Sequence, residues 1–341
     1  MKTGKVPENV LKRSVLRQIR TKRSEVLGGA GTGVDCATFS FQGEGEYVAC
    51  VQEAVLAPGG SSGQNMDVPE KLTTIAALIQ KCVNNLAAGG GRAAAVLIAL
   101  MLPETSEESQ LKTLMAEAEE KCGELSLQIA GGQTRITPAV KLPVATITGI
   151  GRLWNKEIAS GEAKPGQDIV LSKWIGLEGT AYLAGRNREK LLGRYPAWFV
   201  EEAKGFEQYL SIVPEAEIAV KRGVTVMHDA SEGGIFGALW ELAERLKAGL
   251  TVDMRRLPLR QETVEVCECC GANPYELLSG GCLIMISDDG PALEAALEAA
   301  NIPAVTVGKI TDSNDRILLS GEEVRYLDRP KNDSIFSLTD P

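Results

Sequence analysis

The polar stretch NKEIASGEAKPGQD, residues 155–168, divides this chain into two halves that must each build a core. Its lysines, acids, glycines and proline resist both helix and sheet, the composition of a linker. A chain of 341 residues also exceeds what one ordinary core organises, so two domains are predicted, 1–156 and 165–341. The net charge of −9 argues against a general nucleic-acid or anionic-membrane binder, since both need a cationic surface. Lys2, Lys5, Lys12, Arg13, Arg17, Arg20, Lys22 and Arg23 are the exception, read as the solvated face of an amphipathic helix. The start is polar, which predicts no secretory leader, and the longest apolar run, residues 93–102, is half a membrane span. A cytoplasmic protein with reduced cysteines is expected.

Both halves read as α+β. A helix is predicted over 7–20, within an N-terminal helical extension covering 1–27, followed by a strand at 46–55 and a loop at 57–67. A helix at 69–88, a buried strand at 93–102, a charged amphipathic helix at 106–122 and strands near 125–130 and 140–150 complete the first half. The second half opens with DIVLS as a strand and KWIGLEGTAYLAGR turning into a helix, with further helices at 197–208 and 215–222. GVTVMHD then reads as a strand and EGGIFGALWELAERL as a helix. Strand, helix and strand follow at 282–287, 291–301 and 303–310. The cysteines of VCECCG lack a second ligand pair at usable spacing, and are read as small hydrophobes on a helix rather than zinc ligands.

Glycine loops stand at several element junctions. GGAGTG (28–33) precedes a strand instead of following one and opening a helix, so it is no dinucleotide fingerprint and fits a loop folding over a ligand. NNLAAGGGR (84–92) ends a helix, and AGGQT (130–134) is read as a strand end where backbone can approach a ligand. The only histidine, His228, precedes Asp229 and the Gly233–Gly234 pair at the mouth of a helix, where backbone N–H groups can meet an anion. Asp229 is open to two readings, ligand contact or cap of that helix. Beside these loops stand Asp35, Glu53, Asn85 and Gln133, oxygen donors of the kind a hard cation with a nucleotide triphosphate needs.

IVLSKWIGLEGTAYLA, MHDASEGGIFGAL and GANPYELLSGGCLIMI resemble the C-terminal signatures of the PurM-like superfamily, in its AIR synthase-related or HypE-like branch. GKVPENVLKR, the LPE at 102–104 and GGQTRITPAV at 131–140 are similar to the same branch. The resemblance implies an α+β, two-domain PurM-like fold. Its N-terminal sheet forms a β-barrel across a homodimer, and its C-terminal domain is of the α/β sandwich type. It implies ATP and magnesium in a cleft, phosphorylation of an amide-type or other small-molecule oxygen, and a maturation-factor partner.

Carried over residue by residue, the resemblance gives Asp35, His228 and Asp229 catalytic roles. It assigns Gly31, Gly33, Asn84, Gly89, Gly131, Gly132, Thr134, Gly233 and Gly234 to ATP, and Asp35, Glu53, Asn85 and Gln133 to the metal. Asn85 and Gln133 stand where relatives carry charge, so a weakened magnesium site is expected. The final NDSIFSLTDP holds no cysteine, so carbamoyl chemistry on that tail is not expected. Two functions remain open: an ATP-dependent activating enzyme, or a catalytically lapsed nucleotide-binding homologue acting as scaffold or regulator.

Overall fold

The computed structural model describes residues 4–5, 10–28, 38–39, 46–57, 72–154, 158, 161–329 and 333–337. Two compact units emerge, Met1–Leu86 with Gly91–Trp154, and Ala87–Gly90 with Asn155–Pro341. Among the described residues no helix is long and apolar enough to cross a membrane.

The first unit runs β1 (Gly4–Lys5), β2 (Val26–Gly28), β3 (Thr38–Phe39), β4 (Tyr47–Val55), α1 (Ile75–Ala88), β5 (Gly91–Leu102), α2 (Glu108–Glu124), β6 (Gln128–Ile136) and β7 (Val144–Leu153). Five strands form one sheet in the order β1-β6-β5-β7-β4, parallel only between β5 and β6. Alternation decides its faces. Val96, Ile98, Leu100 and Leu102 of β5 are buried with Ala145 and Ile147 of β7, while Ala99 and Met101 are exposed. α1 lies on the buried face, where Gly149 leaves room for Cys82 and Leu86. α2 buries Leu111, Leu114, Met115, Ala118 and Cys122, a helical spacing of threes and fours.

Three expectations need correction here. The extension predicted as helical over 1–27 also contributes strands β1 and β2. The helix predicted over 7–20 is helical at residues 10–18, through a π turn, Leu11–Val15, and a 3-10 turn, Leu16–Gln18; residues 7–9 lie outside the described residues. Carboxylates of α2 hold the segment. Glu108 receives the Arg13 guanidinium and the Ser14 hydroxyl (2.6 Å), and Glu119 accepts from Arg20 N (2.9 Å) and Thr21 Oγ1 (2.6 Å). Second, the strands expected near 125–130 and 140–150 lie at Gln128–Ile136 and Val144–Leu153. Third, AGGQT is therefore inside β6 and not at a strand end. Gly132 serves the sheet, because at φ 144° a Cβ there would come within 1.9 Å of Ile98 O on β5.

The second unit runs β8 (Asp168–Ser172), α3 (Leu177–Arg186), α4 (Ala197–Lys204), α5 (Val213–Lys221), β9 (Val226–Ala230), α6 (Gly234–Leu246), β10 (Gly249–Asp253), α7 (Gln261–Cys270), β11 (Cys282–Ser287), α8 (Gly290–Glu298), β12 (Ala304–Thr311), β13 (Arg316–Ser320), β14 (Glu323–Tyr326) and α9 (Ser334–Ser337). Its seven strands order as β14-β13-β10-β12-β8-β11-β9, with β10 and β13 parallel and the rest antiparallel. One face packs Val226, Ala230, Ile169, Leu171, Ile284 and Ile286 against Ile235, Ala238, Leu239 and Leu242 of α6. β11 is buried along its whole length, as its unbroken CLIMIS predicts. Cys267 and Cys269 of α7 sit in an apolar cluster with Leu183, Val200 and Leu277, packing as small hydrophobes as expected.

The clamp on the N-terminal segment has a pH signature. Arg13 and Ser14 hold Glu108 down to about 2, so its contribution is complete above the ordinary value of 4.5 and is lost as pH falls through 2. Protection of the amides of residues 13–21 against exchange, taken relative to the unfolded chain at each pH, is expected to hold from pH 6 to 4.5 and to fall between 4.5 and 2, and Glu108→Gln is expected to remove the dependence.

Candidate functional site

In the second unit, two helices start side by side. α3 opens at Gly176 (φ 73°) and α6 at Gly233 (φ 82°), both in the left-handed region that glycine occupies without a Cβ clash. Buried Ser279 links them. Its Oγ accepts from Gly176 N (2.9 Å) and donates to Leu277 O (2.9 Å), while its N–H donates to Ser231 O (3.1 Å), two residues before Gly233. Gly179 N donates to Leu278 O (2.9 Å) and Phe236 N to Tyr275 O (3.1 Å), so residues 275–279 are stitched to the first turn of both helices. Glu178 lies in the first turn of α3 against Gly280, where an added Cβ would come within 2.3 Å of Glu178 Oε2. Beside the start of α6 opens a cavity of about 450 Å³ lined by Gly233, Asn273, Arg325 and the stacked rings of Phe236 and Tyr275, whose centroids are 5.1 Å apart.

His228 and Asp229 do not converge. Consecutive residues of β9 point to opposite faces of the sheet. His228 faces α6, with Nε2 3.3 Å from Glu241 Oε2, whereas Asp229 is buried on the other face, opposite Leu283 of β11. Asp229 does not hold the amide at the start of α6. The Gly233 N–H donates instead to Asp333 Oδ2 (2.8 Å), and Asp333 Oδ1 accepts from Ile335 N (3.0 Å). A carboxylate a hundred residues downstream thus takes an amide that the sequence reading gave to a phosphate. Gly234 N donates to Ser231 O (3.2 Å).

A buried ion pair lies near Asp229. Lys173, at φ 53° just past β8, pairs with Glu215 of α5 and donates to Ser211 O (2.5 Å); both charged side chains are under a tenth exposed. Burial pushes the Glu215 carboxyl upward. Cys282 lies within the electrostatic reach of Lys173, Asp229 and Glu215, and burial raises its thiol to about 12. Sequence reading missed Lys173, Glu215, Ser279 and Asp333. Lys173, Ser279 and Asp333 lie inside the segments IVLSKWIGL, LLSGG and NDSIFSLTDP without any local pattern that singles them out.

The first-unit candidates fall in two layers. Glu53, Thr146, Ala99 and Gln133 form one register row across β4, β7, β5 and β6, and Thr146 Oγ1 donates to Glu53 Oε2 (2.9 Å). Three inter-strand steps of roughly 4.8 Å put Glu53 and Gln133 about 14 Å apart, too far to share a magnesium ion with bonds near 2.1 Å. Asn85 lies half-buried on α1, which covers the other face of the sheet, beside buried Asn84. Asn84 Oδ1 accepts from Gln80 Nε2 (2.9 Å). Gly89 forms the turn between α1 and β5, Gly131 and Gly132 lie within β6, and Thr134 is buried there. Asp35, Gly31 and Gly33 lie outside the described residues. Among the described residues no three His, Cys, Asp or Glu side chains gather as a metal site.

The chain matches the family models of the AIR synthase related protein, its N-terminal domain over residues 33–153 and its C-terminal domain over residues 164–319. It is similar to the carbamoyl dehydratase HypE of Rhodobacter capsulatus, 27% identical over 216 residues, which take in 62% of this chain and 61% of that relative. In fold it is similar to the hydrogenase maturation protein HypE in complex with ATP, with a TM-score of 0.73, 20% identity and 96% of each chain covered. It is also similar to a chain of a HypE–HypF complex, with a TM-score of 0.65, 20% identity, and 83% of this chain and 90% of that one covered.

The Lys173–Glu215 pair predicts a steep asymmetry. Lys173→Met leaves a buried carboxylate without its cation and is expected to cost about 3–5 kcal/mol in urea unfolding. Lys173→Met combined with Glu215→Leu is expected to recover most of that loss, and additive losses would show that the two charges are not coupled.

Proposed function

Because the chain belongs to the AIR synthase-related, PurM-like superfamily, in its HypE-like branch, we propose that it binds ATP and uses it to activate an amide-type or other small-molecule oxygen. When bound, ATP supplies a γ-phosphoryl group that turns that oxygen into a phosphate leaving group, with ADP released. The observation that carries this reading is the pair of glycine-capped helix starts at Gly176 and Gly233 held together by Ser279. Adjacent helix N-termini bring two positive dipole ends together, which suits a polyphosphate. ATP in the HypE complex of the same fold supports it. Asp333 must leave the Gly233 amide before a phosphate can take it.

The described residues do not fit a magnesium shell, because Glu53 and Gln133 are separated by two strands and Asn85 stands in another layer. No metal-assisted step is therefore assigned to them, and in our reading Asp35 is the acid the nucleotide site depends on. The second reading, a nucleotide-binding homologue without turnover, is favoured by the uncharged Asn85 and Gln133 and by the tail carboxylate on Gly233.

Calorimetry with ATP, with and without magnesium, followed by an ADP-release assay, separates the two. The enzyme predicts metal-dependent binding with slow ADP release, both abolished in Asp35→Asn. Metal-independent binding without release supports the lapsed homologue, and no binding at all sinks both.

We further assign the exposed sheet face to a second copy of the chain. Tyr47, Val51 and Met101, which are 49%, 58% and 39% exposed, put large apolar side chains on that face. Light scattering is expected to give a dimer that Val51→Asp with Met101→Asp converts to a folded monomer. A wild-type monomer at micromolar concentration would overturn the assignment. A maturation factor is the partner class in keeping with the HypE–HypF likeness.

A further inference from the structure

Cys50 and Cys82 meet inside the first unit, with 3.5 Å between their sulfurs. Cys50 sits on β4 and points toward α1; Cys82 is on α1, fully buried. The Cys50 thiol also donates to Cys82 O (3.2 Å). Sheet register explains the approach. Gly149 of β7 is the direct partner of Cys50, and a Cβ at 149 would lie 2.6 Å from Cys82 Sγ. The missing side chain at Gly149 is therefore the slot that the Cys82 sulfur fills, beside the Cys50 sulfur. A disulfide bond of about 2.05 Å lies roughly 1.5 Å inside the present separation.

We propose that Cys50 and Cys82 are a redox modification site, joined in a reversible disulfide when a peroxide oxidises Cys50. Cys50 is the half-buried member and Cys82 the buried one, which divides their roles. The Cys50 thiolate attacks a peroxide oxygen, the O–O bond breaks, and the leaving hydroxide takes a proton to become water. The Cys82 sulfur then attacks the Cys50 sulfenic sulfur. The S–S bond forms, the S–O bond breaks, and hydroxide departs as water with the Cys82 proton. Two thiols lose two electrons and two protons, and one hydrogen peroxide becomes two waters. The local electrostatics agree with the order: the Cys82 contact draws the Cys50 thiol below its ordinary value, while the same contact and burial push Cys82 upward. The bond ties β4, which carries Glu53, to α1, which carries Asn84 and Asn85. A thiol reductant restores both cysteines.

The full-length protein is treated with a small excess of hydrogen peroxide, its remaining thiols are alkylated, and a tryptic digest is weighed without reduction. The expected species joins residues 24–71, which carry one alkyl group on Cys36, to residues 82–92 through Cys50 and Cys82, two hydrogens lighter than the sum of those two peptides, and dithiothreitol separates them. Cys50→Ser and Cys82→Ser each abolish it. Cys270→Ser, which removes a half-buried thiol in the other unit, leaves it unchanged. The proposal is overturned if both cysteines remain alkylatable, if either pairs with a different cysteine, or if Cys50 accumulates as sulfinic acid. None of these readouts requires nucleotide binding, so the result is independent of the ATP reading.

Discussion

Ser279 carries more of the candidate site than any other single side chain. It is fully buried, and its hydroxyl and amide together bind Gly176, Leu277 and Ser231. An unsatisfied buried donor costs about 1–3 kcal/mol, so the arrangement tolerates little displacement. Both helix starts inherit their position from this one residue. The left-handed glycines at 176 and 233 make the turns possible, but the serine decides that the two turns are neighbours.

The alternation of side chains along a strand imposes the second constraint. It separates His228 from Asp229 although they are adjacent in sequence, and it unites Glu53 with Gln133 although eighty residues part them. The same rule puts α1, with Asn84 and Asn85, on the opposite side of the sheet from Glu53. Function assigned by motif position alone has no access to this sidedness. A HisAsp dipeptide reads as one reactive pair on paper and as two unrelated environments in a sheet.

Much of the fold was legible. The buried strands at 93–102 and 282–287, the amphipathic helix at 106–122 and the helix following MHDASEGG all announced themselves through periodicity. The glycine turn after α1 and the apolar role of Cys267 and Cys269 were equally plain. What sequence could not supply was any interaction between distant positions. The helical pattern of residues 7–20 is met over residues 10–18, but nothing in it announced that Glu108 and Glu119 would hold the segment. The Gly233 amide at the start of α6 is taken by Asp333, a hundred residues away, and the Lys173–Glu215 pair left no local signature.

The short strand Gly4–Lys5 pairs with Ile136 and Arg135 at the outer side of β6. Those two residues act as a guard rail on the sheet: with them in place, that stretch of β6 offers a newcomer no unsatisfied main-chain ladder. Trimming the first handful of residues to tidy an expression plasmid would therefore bare a strand margin. Fibrous or sticky behaviour of such a shortened chain would say nothing about the folding of the rest.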